Sequence, residues 1–433
     1  MNGADLMIWG RVPRTSITFI WLIAVCFPLS NIEEASLKIF IASRERIWIV
    51  IVAEKAKNNL NKNYNKLGMK ILHLSDNGLP DARVERAALT GKREGHITSF
   101  AGPFVKGTAL SVKSFDKSFT MPFNKFANAK VPSYWRVLKR KLSEILSEYR
   151  PDLIHAHNIV AAKLASESSI PFLYDDHEYW SKRCGVFAKI WKPNKMYIKW
   201  LWTRWENEVL RKAFATITVS NTIAEEHGTI CSCVYVVPNF PSRIETQMLE
   251  PNLYGENHLS SVYIGSDFSP SLAGRSSPYR NLEGYLEIFN HNDIGTLTVI
   301  GDSNLSSSQN INSLGSLPHQ LMMEELTKHH IGLLPWKKHW YHRYCNPNKP
   351  YEYAHAGLLV LATSDFINVK RHLKKFCVLF NDEYELKKLL LYYVDNLNEV
   401  RRIRSKIRNF ALENLIWEKQ CEPEILKAYT CAG

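Results

Sequence analysis

The residues equipped for chemistry in this chain stand where short apolar runs end. His155 and His157 close the run DLIHAHN, Asp175, Asp176, His177 and Glu178 follow IPFLY, Asn239 follows VYVVP, and Asp302 follows LTVIG. Arg280 precedes the stretch NLEGYLEIF, and Asn348, Lys349 and Glu352 open another, NKPYEYAHA. Cations placed just before helical stretches suit a phosphate-bearing ligand, because helix N-termini present unpaired backbone N–H groups. A carboxylate nearby offers two acceptor oxygens to ligand hydroxyls. Imidazoles at strand ends have an ordinary pKa of about 6.5 and hydrogen-bond in either protonation state. Each residue also has a plainer reading, as an exposed cation, a dipole-stabilised glutamate or a buried strand histidine.

Several chemistries are excluded. No G-x-G-x-x-G follows the first strand of either half, and there is no Walker P-loop or G-x-S-x-G elbow. The DDHE run at 175–178 sets two carboxylates beside an imidazole but lacks Asp-x-Asp spacing. It reads as a loop shaping a ligand pocket, with His177 and Glu178 the candidates, and no metal is expected there. None of the eight cysteines has C-x-x-C spacing, and Cys231-Ser232-Cys233 lacks a second ligand pair. Free thiols in a reducing compartment are expected.

The elements that must position these residues alternate. From Met69 onward come the strand pattern MKILHLSD, a helix around Ala82–Lys92, the strand GHITSFAG, and a helix at Tyr134–Tyr149. DLIHAHN, IPFLYDDHE, ATITVS and VYVVPNFP continue the first half. After the polar stretch SRIETQMLEPNLYGENHLS come SVYIGS, GTLTVIGD, a helix at Leu317–Thr327, HIGLLPW, LLVLAT and KFCVLF. Such alternation predicts an α/β architecture of two doubly wound parallel sheets, at 69–245 and 260–400. Ligands of such sheets bind beyond the C-terminal strand ends, which places the expected site in the cleft between them.

The first 68 residues read as an N-terminal extension, with Met69 the natural start or the extension dispensable. The alternative is an anchor. SITFIWLIAVCFPL follows Arg11 and Arg14, but it is shorter than the ~20 residues a spanning helix needs, and Pro28 interrupts it. A second apolar run, IWIVIVA, is shorter still.

With 55 Lys and Arg against 42 Asp and Glu, the net charge of +13 favours anionic partners. The segment Tyr179–Lys212 concentrates it, with nine Lys or Arg, two Glu, eight aromatics and five of the twelve tryptophans. It reads either as a helix packing a tryptophan face inward or as a membrane-surface contact. Nucleic acid is not expected as a partner.

Taken in order, these motifs resemble the retaining glycosyltransferases of the GT-B fold, the family 4 group that uses nucleotide-sugar donors. MKILHLSD, REGHITSFAGP, DLIHAHN, YDDHEYW, ATITVSNTIAEEHG and VYVVPNFP match its first half. PYRNLEGYLEIF, LTVIGDS, LGSLPHQLMMEELTKHHIGLLPW and NPNKPYEYAHAGLLVLAT match the donor-binding half. The resemblance implies that Arg280 and Lys349 stabilise the diphosphate leaving group, with Arg275 a weaker substitute for Arg280. It further implies that Glu352 holds the donor ribose, that Asn348 and Gly265 help bind the donor, and that His157 orients the transferred sugar. It implies no protein nucleophile, no metal or other cofactor, and a C-terminal helix within 401–433 that crosses back onto the first domain. The family's first acid falls on Tyr344, and Pro350 stands where an aliphatic residue is usual; the first departure puts the donor sugar in question. The expected partners are a nucleoside-diphosphate sugar, a saccharide or lipid-linked acceptor and a membrane surface. The expected setting is cell-surface polysaccharide or glycolipid synthesis, in the cytoplasm or on the inner face of the membrane. The rival readings are a nucleotide-sugar 2-epimerase and a non-catalytic GT-B scaffold.

Overall fold

Apolar runs of four to six residues, buried on both faces, become parallel strands covered by helices. The computed structural model describes residues 68–103, 114–123, 132–186, 193–246, 249, 258–265, 282–291 and 293–431. The apolar runs at 16–29 and 47–53, Arg275 and Arg280 lie outside the described residues.

Within the unit Met69–Gly433, β1 (Lys70–Ser75), β2 (Ile97–Gly102), β3 (Lys117–Thr120), β4 (Leu153–His157), β5 (Phe172–Asp176), β6 (Ala215–Thr218) and β7 (Val234–Val236) form one sheet. Its order is β3-β2-β1-β4-β5-β6-β7, and every pairing is parallel. The second sheet contains β8 (Ser260–Ile264), β9 (Thr296–Ile300), β10 (Ile311–Gly315), β11 (Ile331–Leu334), β12 (Leu359–Thr363) and β13 (Cys377–Phe380). Its order is β10-β9-β8-β11-β12-β13, again all parallel. The strand order reverses between β1 and β4 in the first sheet and between β8 and β11 in the second. Those two switch points are where ligands of such sheets bind.

The helices that matter for the site are α1 (Ala82–Arg93), α2 (Pro132–Tyr149), α3 (Asn158–Ala165), α4 (Trp180–Val186), α5 (Pro193–Lys212) and α6 (Asn221–His227) in the first half. The second half contributes α7 (His319–Leu326), α8 (Lys349–His355), α9 (Ile367–Leu373), α10 (Glu383–Asp395) and α11 (Leu397–Asn414). Two short helices, α12 (Trp417–Gln420) and α13 (Glu422–Thr430), end the chain. Helix α1 starts where it does because the Asp81 carboxylate accepts from the amides of Arg83 and Val84, at 3.1 and 3.3 Å. That cap fixes the face on which Arg83 and Arg86 stand one turn apart.

Helix α8 lies so close on β11 that a Cβ at Gly332 would sit 2.3 Å from the Tyr353 ring. Gly332→Ala should therefore lower stability by about 1–3 kcal/mol through overpacking, read as a lower urea midpoint at unchanged slope.

The chain's end returns to the first half. Trp417 is fully buried, and its indole donates to Thr90 on α1 at 3.0 Å. Arg93 pairs with Glu422, and the Tyr429 hydroxyl lies 2.9 Å from Nδ1 of His155. This return also brings Cys431 beside Cys233, 198 residues apart in sequence.

Candidate active site

The register of three adjacent strands assembles the first wall of the site. His73 on β1 pairs with His155 on β4, and His157 one pleat further pairs with Asp175 on β5. His155 and His157 share a face and stack with centroids 4.3 Å apart. Nδ1 of His73 lies 3.0 Å from Nε2 of His157, and Nδ1 of His157 lies 3.2 Å from Nε2 of His177. Burial pushes His73 and His157 well below the usual histidine pKa, and their imidazole neighbours push the same way, so both are neutral at pH 7.

Asp175 carries the charge of this wall. Burial alone would raise its pKa, but Arg83 holds it well below the usual carboxylate range. Arg83 reaches it from α1 with Nη2 2.7 Å from Oδ1 and Nε 3.1 Å from both oxygens. The same guanidinium donates to the Val237 carbonyl at 2.8 Å and to Asn239 Oδ1 at 2.9 Å. A buried pair satisfied in this way is expensive to break from either side.

The adjacent Asp176 points to the opposite face. It accepts from the Tyr174 hydroxyl at 2.9 Å and lies 2.9 Å from Nε2 of His227. The two carboxylates of the DDHE run therefore do not converge, because successive strand residues alternate sides. His177 and Glu178 both line the cleft, and Glu178 pairs with Arg183.

The second wall is built at the other switch point. Gly265 ends β8 with φ +146°, and its amide donates to the Ile300 carbonyl at 2.7 Å. Lys349, half-buried at the start of α8, places Nζ 3.3 Å from the Tyr263 hydroxyl. Its ammonium lies 4.7 and 5.3 Å from the ring centroids of Tyr263 and Trp336. Glu352, one turn on and buried, lies 3.4 Å from Nε2 of His319 at the start of α7. That carboxylate raises the His319 pKa against partial burial. Asn348 is exposed and lines the cleft.

Arg86, from α1 of the first half, pairs with Glu245 at 2.7 Å, while its buried Nη1 has no hydrogen-bond partner. Burial would raise the Glu245 pKa, but Arg86 and Ser242 bring it down to about 2. A depressed carboxylate stabilises the fold above its unfolded pKa, and that contribution is lost as pH falls through the folded value. Glu245→Gln should therefore flatten the acid limb of the stability–pH curve between about pH 4.5 and 2. The amplitude removed should be on the order of 3 kcal/mol, read from urea midpoints.

Tyr344 ends a 3₁₀ turn (Trp340–Tyr344) and lines the cleft, with its hydroxyl engaged by a carboxylate. It donates to Glu226 on α6 at 2.5 Å, beside Tyr179, which donates to the same carboxylate at 2.8 Å. Lys182 completes the group at 3.2 Å. Ser220 donates to the Tyr344 carbonyl at 3.2 Å, and Asn346 donates to the Val219 carbonyl at 2.7 Å. Asn239 donates to the Asn346 carbonyl at 2.8 Å, so the Arg83–Asp175 network continues across the cleft. Where the family resemblance called for an acid, this chain has a residue that ties its two sheets together. Glu226→Gln should lower the thermal midpoint by about 1–2 °C, on losing about 1 kcal/mol of charged hydrogen bonding.

The cleft between these walls encloses about 280 Å³ and is lined by Arg83, His177, Glu178, Asn239, Trp336, Tyr344 and Asn348, among others. Of the residues singled out from sequence, His157, His177 and Glu178 meet on the first wall, and Gly265, Asn348, Lys349 and Glu352 on the second. Arg280 lies outside the described residues. Sequence reasoning missed His73, Arg83, Arg86 and His319. His73 lies in the strand pattern MKILHLSD, where an interior histidine among buried apolar residues was the available signal. Arg83 and Arg86 sit on a helix whose first turn carries no family signature.

Residues 92–240 match the family described as Glycosyltransferase Family 4. Solved structures share the fold at low identity. Sucrose-phosphate synthase from Thermosynechococcus elongatus aligns with TM-score 0.62 and 12% identity, over 84% of this chain and 98% of its own. Anabaena HepE in complex with UDP and glucose aligns with TM-score 0.59 and 14% identity, over 84% of this chain and all of its own, 100%. An alpha-glucosyltransferase in complex with UDP and a DNA containing a HMU base aligns with TM-score 0.54 and 14% identity, over 84% and 100%. No curated protein matches the chain.

Proposed function

We infer, from the match of residues 92–240 to glycosyltransferase family 4 and the GT-B fold, transfer of a sugar from a nucleoside-diphosphate sugar to an acceptor hydroxyl, with retention at the anomeric carbon. The observation that carries this reading is the pairing of Lys349 and Glu352 at the switch point of the second sheet, opposite the wall bearing Arg83, His157 and His177. Lys349 stabilises charge growing on the diphosphate as the glycosidic bond breaks. Arg280, on sequence grounds, does the same. Glu352 accepts from the ribose hydroxyls, and Asn348 and Gly265 border the donor. His157 orients the transferred sugar, and His177 and Glu178 shape the acceptor pocket. The acceptor attacks from the face the diphosphate leaves, and a leaving-group oxygen takes its proton. No protein nucleophile enters this sequence of events, and the diphosphate charge is met by the chain's own cations.

The acceptor reading rests on α5. Trp202 and Trp205 pack on the first domain's core, whereas Met196, Tyr197 and Trp200 are each more than half exposed, at 57, 52 and 53%. Lys199, Arg204, Arg211 and Lys212 are exposed on the same helix. Among the described residues no helix is long and apolar enough to cross a membrane. A basic helix with exposed aromatics suits peripheral contact with anionic phospholipid and a saccharide or lipid-linked acceptor, as in cell-surface polysaccharide or glycolipid synthesis. The protein would then work at the cytoplasmic face. Co-sedimentation with anionic vesicles tests this: binding should fall with salt and with the double change Met196→Ser and Trp200→Ser.

The reaction itself is tested by incubating the protein with each nucleoside-diphosphate sugar, with and without saccharide acceptors, and following the anomeric proton by NMR. Acceptor-dependent formation of an axial or equatorial linkage matching the donor supports retention. Conversion of the donor sugar without acceptor would instead favour a 2-epimerase.

A further inference from the structure

The first wall gathers His157 and His177, which the proposed transfer sets beside the sugar and the acceptor, around Asp175, to which that transfer assigns no role. Nδ1 of His157, Nε2 of His177 and Oδ2 of Asp175 form a triangle with edges of 3.2, 3.4 and 3.5 Å. Zinc takes imidazole nitrogen and carboxylate oxygen at about 2.0–2.2 Å, and a tetrahedron of that size has edges of about 3.3–3.5 Å. We propose that His157, Asp175 and His177 bind one divalent transition-metal ion of the Zn²⁺ type.

Three further observations support the site. Nε2 of His157 lies 3.0 Å from Nδ1 of His73; when His157 donates there, its Nδ1 is left as a lone pair facing the triangle. Nε2 of fully buried His155 lies 3.4 Å from the same Asp175 oxygen without a well-formed hydrogen bond. The shortest Arg83 bond goes to Asp175 Oδ1, at 2.7 Å; Oδ2 accepts from Nε at 3.1 Å and also lies 3.4, 3.4 and 3.5 Å from the His155, His157 and His177 imidazoles. Two imidazole nitrogens and one carboxylate oxygen are the donor set that zinc prefers over magnesium or calcium. Only three protein ligands are supplied, so the fourth position goes to water or an oxygen ligand from the cleft, which His177 lines. In a second carboxylate–histidine group, Asp176, Glu206 and His227, both Asp176 oxygens and one Glu206 oxygen already have partners in Tyr174, His227 and Ser181.

No metal was expected from the sequence, because the DDHE run has the wrong spacing for two convergent carboxylates. The structure replaces the second carboxylate with a histidine from the neighbouring strand.

The test uses the full chain, stripped with chelator, desalted and titrated with Zn²⁺ by calorimetry and with Co²⁺ by visible absorption. One ion per chain is expected, with the intense ligand-field bands of four-coordinate Co²⁺. His177→Ala should abolish stoichiometric binding, and His73→Ala should weaken it about 10- to 100-fold. His291→Ala, at an exposed position outside the cluster, should bind as the parent does. Circular dichroism confirms that each variant is folded. A folded parent that takes up no ion, or a His177→Ala variant that binds equally well, overturns the proposal. Neither result bears on nucleotide binding at the second wall, which is measured on the stripped protein.

Discussion

Lys349→Ala should reduce kcat/KM by about 30- to 1000-fold, the equivalent of about 2–4 kcal/mol of transition-state stabilisation. The ammonium stands beside Tyr263 and Trp336 at the switch point of the second sheet, where the proposed transfer has it meet the leaving diphosphate. Because Lys349 is half-buried, its loss should cost folding stability only about 0.5–1 kcal/mol from the ring contacts. The two quantities thus separate: turnover collapses while the thermal midpoint moves little. Lys349→Arg should recover part of the rate, since the charge is kept but its position changes. A folded Lys349→Ala protein that turns over at the parental rate would remove Lys349 from the mechanism.

Arg83→Ala should have the largest effect on stability, about 3–5 kcal/mol, because it leaves Asp175 buried and charged without its partner. The same side chain bonds the Val237 carbonyl and Asn239, so α1, β5 and the loop after β7 all lose an anchor. Urea unfolding should show a lower midpoint with the slope unchanged. The pH dependence gives a second readout. In the parent, the depressed Asp175 pKa contributes stability that is present above the unfolded aspartate value and lost as pH falls toward the folded one. Without Arg83 that acid-side loss should shrink. A variant with parental urea midpoint and acid limb would mean that the pair contributes nothing net.

The contrast between these residues shows what the sequence could carry. Buried central strands such as KILHLS and LVLAT are legible because an apolar run between turn signals has few other uses. The edge strands β3, KSFT, and β10, INSLG, are not, since they have polar or exposed positions and take their strand form from a neighbour. Lys349 and Glu352 were legible because a single helix turn of four residues holds both. The Arg83–Asp175 pair was not, because its members are 92 residues apart and meet only through the order of strands. The His157–Asp175–His177 triangle shows the same limit: DDHE was visible, but the alternation that turns Asp176 away and the register that brings His157 in belong to the sheet. Tyr344 was noted as a departure, yet its partner Glu226 lies 118 residues earlier in the chain.

Calorimetry of UDP, GDP and ADP against the folded, chelator-treated full chain tests the central claim most directly, with Glu352→Gln as the comparison. The account predicts that one nucleotide binds without added metal and that Glu352→Gln weakens it at least about tenfold, the loss of a charged hydrogen bond of about 1.5–3 kcal/mol. Absence of binding for all three nucleotides, by protein shown to be folded, would contradict it and leave a GT-B scaffold in place of an enzyme.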